Sequence, residues 1–282
     1  MVILPPQYVQ APEPRGIRYG LLAAANGPLD LPAPHGLAGG VIYEPVSCGP
    51  AHIWPNVCHP AELNPQMREG VFWPGDSRKI LNSPPSKIFD GQDPWITAES
   101  FVVYATLLCG SAGHTFEELS AKVLRRIANG EQVQAEIALA TTLGIGATPI
   151  LNPGLSFADA IGELEEWIYG AAGADYGNIG YLHCSPRMAA YAAEARLIER
   201  QGPILTTRLG TVWVFGGGYP DDGTIYVSGQ ATVWRSSDIF VSPQVGALDR
   251  TTNQYRLVAE REYAVAYDCV AASTTFNWGH VS

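Results

Sequence analysis

Residues 100–143 read SFVVYATLLCGSAGHTFEELSAKVLRRIANGEQVQAEIALATTL, and they contain the most regular pattern in the chain. The first part, Ser100–Leu108, is rich in β-branched and aromatic residues, which predicts a buried strand. Thr115 and Glu118 then match the capping box that begins many helices. Apolar residues recur at helical spacing behind that box, so we predict one helix from there to about Leu143. A helix of about 28 residues is roughly 40 Å long.

Two further helices and several strands are predicted downstream of this stretch. Ser156 and Asp159 form a second capping signature, which predicts a helix through Tyr169. Ser185-Pro186 places an N-cap before a proline at the first helical position, which predicts a third helix to about Arg200. Residues 255–269 alternate apolar with charged side chains, as a strand buried on one face does. The other predicted strands are 179–184, 210–215, 224–228 and 231–235.

The first third of the chain has a different composition. Of the 22 prolines in the sequence, 16 lie in the first 100 residues. Proline removes backbone donors and restricts φ, so this region is not expected to form regular helices or central strands. It nevertheless carries large aromatic residues, which a free linker does not need. We interpret five of them as inter-subunit contacts, with packing inside their own subunit as the alternative: Trp54, Phe72, Trp73, Phe89 and Trp95.

Composition excludes several classes of protein. The 282 residues carry a formal net charge of −10, and only 16% of them are charged, against about 25% in an average soluble protein. So few charges leave much neutral surface, which often packs against another subunit. The acidic balance argues against a general nucleic-acid binder. Because no apolar run reaches about 18 residues, no membrane span is predicted. The initial MVILPPQYV lacks the basic region of a signal peptide.

The cysteines do not form a recognisable framework. Their number is odd and their spacing scattered, so we expect reduced, mostly buried thiols. A loose set of metal-ligating types follows the spacing C-x3-H-x5-C-H, which matches no usual zinc signature. We therefore predict neither a metal site nor a cofactor. The cysteines are Cys48, Cys58, Cys109, Cys184 and Cys269, and the loose set is Cys48, His52, Cys58 and His59.

Candidate catalytic patterns have structural explanations. Gly154-Leu-Ser156-Phe-Ala158 resembles a nucleophile elbow, but Asn152-Pro153 precedes it where a strand is required, so Ser156 is predicted to be a helix cap. His183 and Cys184 are neighbours on a predicted strand and point to opposite faces, which predicts a structural histidine. The glycines of Phe215–Tyr219 lead into another strand and predict a turn. A solvated helix face is predicted for Glu163, Glu165 and Glu166.

No nucleophile, base and oxyanion hole assemble from these patterns, so we expect a non-enzyme. A serine-type hydrolase that uses Ser156 or His183 and a monomeric binding module are the alternatives from other classes.

The order of these elements resembles the major capsid protein of tailed phages with the Hong Kong 97-like fold, which encapsulins share. The strand and long helix of residues 100–148 resemble that family's spine-helix region, with Ala128–Gln132 and Gly144 near the helix end. GYLHCSPRMAAY and AVAYDCVA resemble the later elements. The resemblance implies an α+β fold with five parts: an N-terminal arm (1–50), an extended loop (51–99), a peripheral domain with the spine helix (100–152), an axial domain (153–235) and the return strand of the peripheral domain (236–282).

The resemblance also implies a function and partners. We expect a structural shell subunit that forms hexamers and pentamers of an icosahedral head around double-stranded DNA, without sequence-specific contact. Portal, scaffold or decoration proteins are the other expected partners. No charged helical segment precedes the arm, so a scaffold is expected to be a separate protein. The expected location is the virion, assembled in the host cytoplasm and without membrane contact. A minor, decoration or tail protein and an encapsulin shell are the alternatives within this class.

Overall fold

A computed structural model describes residues 18–25, 28–32, 37–45, 48, 95–151, 156–170 and 176–276. In the first half, the elements are α1 (Leu21–Ala24), β1 (Pro28–Leu31), β2 (Val41–Tyr43), β3 (Ile96–Ala98), β4 (Ser100–Gly110), α2 (Phe116–Gly146), β5 (Thr148–Pro149) and α3 (Phe157–Tyr169). In the second half they are β6 (Tyr181–Cys184), α4 (Met188–Glu194), β7 (Glu199–Gln201), β8 (Ile204–Thr206), β9 (Val212–Phe215), β10 (Thr224–Ser228), β11 (Ala231–Ser236), β12 (Phe240–Val241), α5 (Gln244–Ala247), β13 (Leu248–Asp249), β14 (Gln254–Tyr267) and β15 (Ala271–Thr275).

The long helix predicted from the capping box is α2. The Thr115 hydroxyl accepts a hydrogen bond from the Glu118 N–H at 3.2 Å, and the Glu118 carboxylate accepts one from the Thr115 N–H at 3.2 Å. The helix is 31 residues long and runs through Gly130 to Gly146. Ser156 caps α3 in the same way, since its hydroxyl accepts from the Asp159 N–H at 3.2 Å. Both predicted helix starts are confirmed.

The third predicted helix is shorter than expected. It ends at Glu194 rather than near Arg200, and Arg196 has a positive φ of 56°, which is incompatible with a continuing helix. Ser185 does not cap it, because its hydroxyl donates to Asp221 Oδ1 at 3.0 Å. The residues assigned to its last turn form β7, which pairs with β8. The prediction failed because residues 195–200 contain no glycine or proline that would mark the end of the helix.

Sheet A is built around β14. On one edge, β4 pairs antiparallel with residues 254–264 of β14. Along the other edge, β13, β12 and β11 follow one another, and β1 pairs in parallel with β11. The predicted alternation in β14 is confirmed as far as Tyr263, since Leu257, Ala259, Arg261 and Tyr263 are buried and the residues between them are not. It fails beyond that point, because Ala264 and Ala266 of the other face are also buried, in a cluster with Trp234.

Helix α2 packs across the buried face of sheet A. Its first half contributes Leu119 and Val123 to a cluster with Leu107 of β4 and Leu257 of β14. Its second half contacts both sheets, since Leu139 clusters with residues of sheet A and of the second sheet. The helix is therefore the structural spine that joins the two halves of the molecule.

Sheet B contains seven strands of the described chain in the order β5-β15-β10-β6-β9-β8-β7. Every residue of β6 and of β9 is buried. One face, with Val214 and Tyr226, packs towards α2, and the other, with Leu182 and Trp213, packs against α3 and α4. Burial on both faces explains why these strands are apolar throughout rather than alternating.

The chain crosses between the two sheets twice at one place. Residues 229–230 connect β10 in sheet B to β11 in sheet A, and residues 268–270 connect β14 back to β15. The two bends are hydrogen-bonded to each other, with Gly229 N–H donating to Val270 O at 2.9 Å and Asp268 N–H to Gln230 O at 3.0 Å. We call these residues the crossover. Strand β11 belongs to sheet A and β15 to sheet B, and the domain boundary between residues 235 and 236 stays a prediction.

Two cysteines that we expected to be reduced form a disulfide. Cys48 and Cys269 are bonded, with their Cα atoms 5.6 Å apart and 221 residues between them in sequence. Scattered spacing misled the prediction because the fold, not the sequence, brings the two residues together. Cys184 is a buried free thiol, as expected, and Cys109 is a half-buried one. Cys58 lies outside the described residues.

The described parts of the N-terminal arm pack on the core of their own subunit, because Leu21 and Leu37 are buried in clusters with residues of the sheets. Strand β1 also extends sheet A by pairing residue for residue with β11. These contacts lie in the proline-rich first third of the chain. The average composition of that third does not indicate which of its apolar residues are buried.

Candidate assembly surface

The outward face of β4 exposes a row of apolar side chains. Along this strand, Val103 and Leu107 point into the core. The alternate residues Val102, Tyr104 and Leu108 are 51%, 68% and 61% exposed. Strand geometry places them on one face of the sheet, opposite α2. We call this row the β4 face. Large apolar side chains aligned in this way are typical of a surface that another protein covers.

A groove of about 460 Å³ adjoins the β4 face. Its apolar lining includes Val102, Phe240 and Val241, and its charged lining includes Asp238, Glu260 and Arg261, of which Arg261 is paired with Asp30 and Glu131. Glu262 also lines it and accepts a hydrogen bond from the Leu37 N–H at 3.2 Å. We call it the acidic groove. Its chemistry favours a ligand that combines apolar and basic side chains.

The predicted inter-subunit aromatics are mostly beyond what the structure describes. Trp54, Phe72, Trp73 and Phe89 lie outside the described residues. Trp95 is described and is 59% exposed, immediately before β3. The structure brings Trp95 onto the surface of the subunit and does not test the contact proposed for it.

Glu136 is a residue whose importance sequence reasoning missed. Its carboxylate is fully buried in the middle of α2. It accepts one hydrogen bond from the Leu21 N–H and one from the Gly218 N–H, each at 3.0 Å. Burial raises the pKa of the carboxyl, while the Leu21 and Gly218 N–H groups act in the opposite direction. Glu136 therefore joins the arm, the spine helix and the glycine turn. The signal in the sequence was a carboxylate on the apolar stripe that includes Leu139.

A charged network fastens β1 to the rest of the subunit. Asp30 of β1 accepts from Arg235 Nε at 2.6 Å and from Arg261 Nη2 at 3.3 Å. Both guanidinium groups also lie 3.6 Å from the carboxylate of Glu131 on α2. The hydroxyl of Tyr263 donates to the same carboxylate. The hydrogen bond from Arg235 lowers the pKa of Asp30, which keeps this carboxylate charged at neutral pH.

His183 is a buried structural residue, as predicted. Its Nδ1 lies 3.0 Å from the Tyr219 hydroxyl and its Nε2 lies 2.8 Å from the Ser228 hydroxyl. Burial lowers the pKa of the imidazole from 6.5 to about 3. Ser156, the other residue of the hydrolase alternative, donates to Asp159 Oδ2 at 2.7 Å in its helix cap. The structure therefore does not bring these two residues together as nucleophile and base.

The predicted solvated face of α3 holds only in part. Glu165 is half-buried, and it accepts hydrogen bonds from the Thr207 hydroxyl at 2.5 Å and the Thr211 hydroxyl at 2.6 Å. It thus ties α3 to the end of the β8–β9 connection. Glu166 is exposed and Glu163 is half-buried.

Of the loose metal set, only Cys48 lies among the described residues. Cys48 is in the disulfide, so it offers no thiolate, and His52, Cys58 and His59 lie outside the described residues. Within the described ranges, no group of three or more histidine, cysteine, aspartate or glutamate side chains is placed to bind a metal ion. Among the helices of the described chain, none has the length and apolar character needed to cross a membrane.

Comparisons with known proteins find likeness in structure only. No family model matches the sequence, and no curated protein matches it. The capsid of a native GTA particle aligns over 95% of both chains, with 13% identity and a TM-score of 0.50. A chain of Mycobacterium phage Adephagia aligns over 93% of this chain and 91% of its own, with 14% identity and a TM-score of 0.48. An encapsulin complex from Synechococcus elongatus covers 65% and 75%, with 8% identity and a TM-score of 0.45.

The alignment with the GTA capsid runs almost from end to end, and it therefore includes both sheets and the spine helix. The order of elements agrees with the predicted one: an N-terminal segment, a strand and long helix, a second sheet with its own helices, and a late strand that returns to the first sheet. The chain has the α+β Hong Kong 97-like fold of capsid subunits.

Proposed function

We propose that this chain is the major capsid protein of a tailed phage, a structural shell subunit that assembles into an icosahedral head around double-stranded DNA. The supporting observation is the alignment with the GTA capsid over 95% of both chains. The function is mechanical containment, and its chemistry is that of interfaces between copies.

The proposed parts of the subunit follow from the sequence and from the two sheets. Residues 1–50 form the arm, 51–99 the extended loop, and 100–152 the peripheral domain with its spine helix. Residues 153–235 form most of the axial domain and 236–282 most of the return to the peripheral domain. The pairing of β11 with β14 favours an axial domain that ends at the crossover, near residue 230.

The aromatics of the arm and loop are proposed to contact neighbouring subunits. Trp95 supports this role, because it is exposed while Trp213 and Trp234 of the same chain are buried. Large aromatics dominate the energetics of protein interfaces when they enter a partner's surface. By the same reasoning we assign an anchoring role to Trp54, Phe72, Trp73 and Phe89.

The β4 face and the acidic groove are proposed to receive the extended loop of a second copy. Residues 77–88 of that loop carry Arg78, Lys79 and Lys87 and no acidic residue, although residues 51–99 as a whole have four basic and six acidic side chains. The groove offers apolar side chains together with the carboxylates of Asp238 and Glu260. Complementary charge of this kind sets register and orientation between subunits.

The remaining partners follow from the proposed role. Hexamers and pentamers of this chain form the shell, with portal, scaffold or decoration proteins as further virion components. Packaged DNA is enclosed without sequence-specific contact, which is consistent with a net charge of −10. The proposed location is the virion, with assembly in the host cytoplasm.

The test is assembly of the purified chain, alone and co-expressed with a scaffold protein. Size-exclusion chromatography and negative-stain microscopy are expected to show megadalton shells or rings of subunits. A monomer of about 30 kDa under every condition would contradict the proposal. Particles that form shells but never contain DNA when produced during infection would instead favour an encapsulin compartment.

A further inference from the structure

The disulfide joins the N-terminal chain to the crossover between the sheets. Cys269 lies in the 268–270 bend, where its φ of 55° turns the chain from β14 to β15. Cys48 also forms an isolated antiparallel bridge with Tyr176. The Tyr176 hydroxyl accepts from the Gln230 N–H of the other bend at 2.8 Å. The bond therefore attaches Cys48 to the place where both strands change sheet.

The described chain near Cys48 has only short regular structure. Strand β2 is three residues long and pairs with β3. The Tyr43 hydroxyl donates to Tyr267 O at 3.1 Å, which ties the end of β2 to the end of β14. The bridge of Cys48 to Tyr176 does not continue into a strand. If the disulfide were broken, Cys48 would be held at the crossover only by its isolated bridge to Tyr176 and by the short strand β2 before it.

The two bonded cysteines keep part of their surface exposed to solvent. Cys48 and Cys269 are each half-buried, whereas the free thiol of Cys184 is fully buried. Access to the sulfur is a requirement for thiol–disulfide exchange. Its place at the crossover and the partial exposure of its two cysteines distinguish this bond from a disulfide that is fully buried in a hydrophobic core.

We propose that Cys48–Cys269 is a thiol–disulfide lock, open in reducing surroundings and closed in oxidising ones, that attaches the chain at Cys48 to the crossover. Closure uses a low-molecular-weight disulfide such as oxidised glutathione. One cysteine thiolate attacks it, forms a mixed disulfide and releases one glutathione thiolate. The second cysteine thiolate then attacks the mixed disulfide and releases the second. Two protein thiols lose two electrons and two protons, and one glutathione disulfide becomes two thiols.

The use of the lock rests on the proposed function. A shell assembled in a reducing cytoplasm would be built from open subunits, since glutathione keeps exposed thiols reduced there. Release into an oxidising medium would close the lock in every subunit without a further protein. Closure would then attach the segment that we propose to contact neighbours.

The first experiment counts thiols in the folded full-length chain. The protein is equilibrated in glutathione buffers of increasing oxidised fraction, quenched with acid, denatured, and labelled with a maleimide for mass spectrometry. Five labels are expected at the reducing end and three at the oxidising end, because two of the five cysteines pair. Peptide mapping is expected to assign the lost labels to Cys48 and Cys269.

The second experiment compares variants under oxidising conditions by hydrogen exchange. Cys48→Ser and Cys269→Ser are each expected to raise exchange at least tenfold in residues 41–48 and to leave β14 protected. Cys109→Ser is the matched control, since Cys109 is half-buried but unpaired, and it is expected to behave as the unchanged chain. Wild-type protein in reducing buffer is expected to match the two lock variants.

Three results would overturn the lock. Five labels in every buffer would mean that the bond does not form, and three in every buffer would mean a permanent structural disulfide. Dimers on a non-reducing gel would mean that the cysteines pair between copies. None of these results depends on assembly. Shells that form while the label count stays constant would refute the lock alone, and a working lock in a chain that never assembles would refute the proposed function alone.

Discussion

At the scale of single residues, two buried polar side chains, His183 and Glu136, affect the stability of the fold in different ways. His183 is held neutral between two hydroxyls in sheet B, whereas Glu136 accepts two backbone N–H groups at the junction of three elements. A buried polar group stabilises a fold only while its partners remain in place. Both residues therefore offer measurable tests of the fold.

His183 predicts a defined pH dependence of stability. The folded-state pKa of about 3 lies below the ordinary value of 6.5, so the unfolded chain takes up a proton in this range and the folded chain does not. The contribution of neutral, buried His183 to the free energy of unfolding is therefore fully present above pH 6.5 and is lost as the pH falls towards 3. Relative to His183→Gln, the wild-type free energy of unfolding is expected to fall by about 1.4 kcal/mol per pH unit below 6.5. Urea unfolding at several pH values measures it, and parallel profiles for the two proteins would contradict it.

The glycine turn beside Glu136 predicts a strong effect of a single methyl group. A Cβ on Gly218 would meet the backbone of α2, at 2.5 Å from Val133 O and 2.6 Å from Ile137 N. Gly218→Ala is therefore expected to destabilise the subunit by about 3 kcal/mol, since neither backbone can yield. Thermal unfolding of the purified chain measures the change.

Gly217→Ala is the matched control for that experiment. A Cβ at Gly217 meets only Val133 Cγ2 at 3.7 Å, an ordinary contact. Its unfolding temperature is expected to stay within a few degrees of wild type, in line with roughly 1 kcal/mol or less. Equal losses for the two substitutions would show that the turn, rather than its contact with the helix, is sensitive.

At the scale of elements, the sequence predicted those features that depend on residues close together in the chain. The boxes at Thr115 and Ser156 predicted both helix starts because the hydroxyl and the backbone it binds are three residues apart. The end of α4 and the Cys48–Cys269 bond were missed because each depends on residues distant in sequence. For the same reason the partners of Glu136, 82 and 115 residues away, had no local signal.

The cap of α2 predicts a modest and separable loss of stability. Thr115→Ala removes the acceptor for the Glu118 N–H and is expected to cost about 1 kcal/mol. Thr115→Ser keeps the hydroxyl and is expected to cost a few tenths at most. Guanidinium unfolding of the two variants checks this, and an equal loss in both would mean that the methyl group rather than the cap matters.

At the scale of the whole molecule, the β4 face predicts a defect in assembly without a defect in folding. Tyr104→Ser removes the most exposed side chain of the row, so its unfolding free energy is expected to change by less than about 0.5 kcal/mol. The concentration required for shells is expected to rise at least tenfold, as for the loss of an interface anchor worth about 1.4 kcal/mol or more. Light scattering over a concentration series measures it.

Leu209→Ser is the control for the β4 face. Leu209 is as exposed as the residues of that face, but it lies before β9 at sheet B. Its substitution is expected to leave the threshold for assembly unchanged. An equal shift for Leu209 and Tyr104 would mean that general surface hydrophobicity, not the β4 face, drives association.

The position of β14 in the chain has a consequence for the timing of synthesis. It is the strand to which β4, β11, β12 and β13 all pair, yet it follows all four of them in the chain. A ribosome that has made the first 250 residues has synthesised the strand that bears Tyr104 but not the strand with which it pairs. Sheet A, and with it the β4 face, is therefore complete only after Tyr267 has been translated. Such late completion would keep nascent chains on one messenger from associating before each subunit has folded.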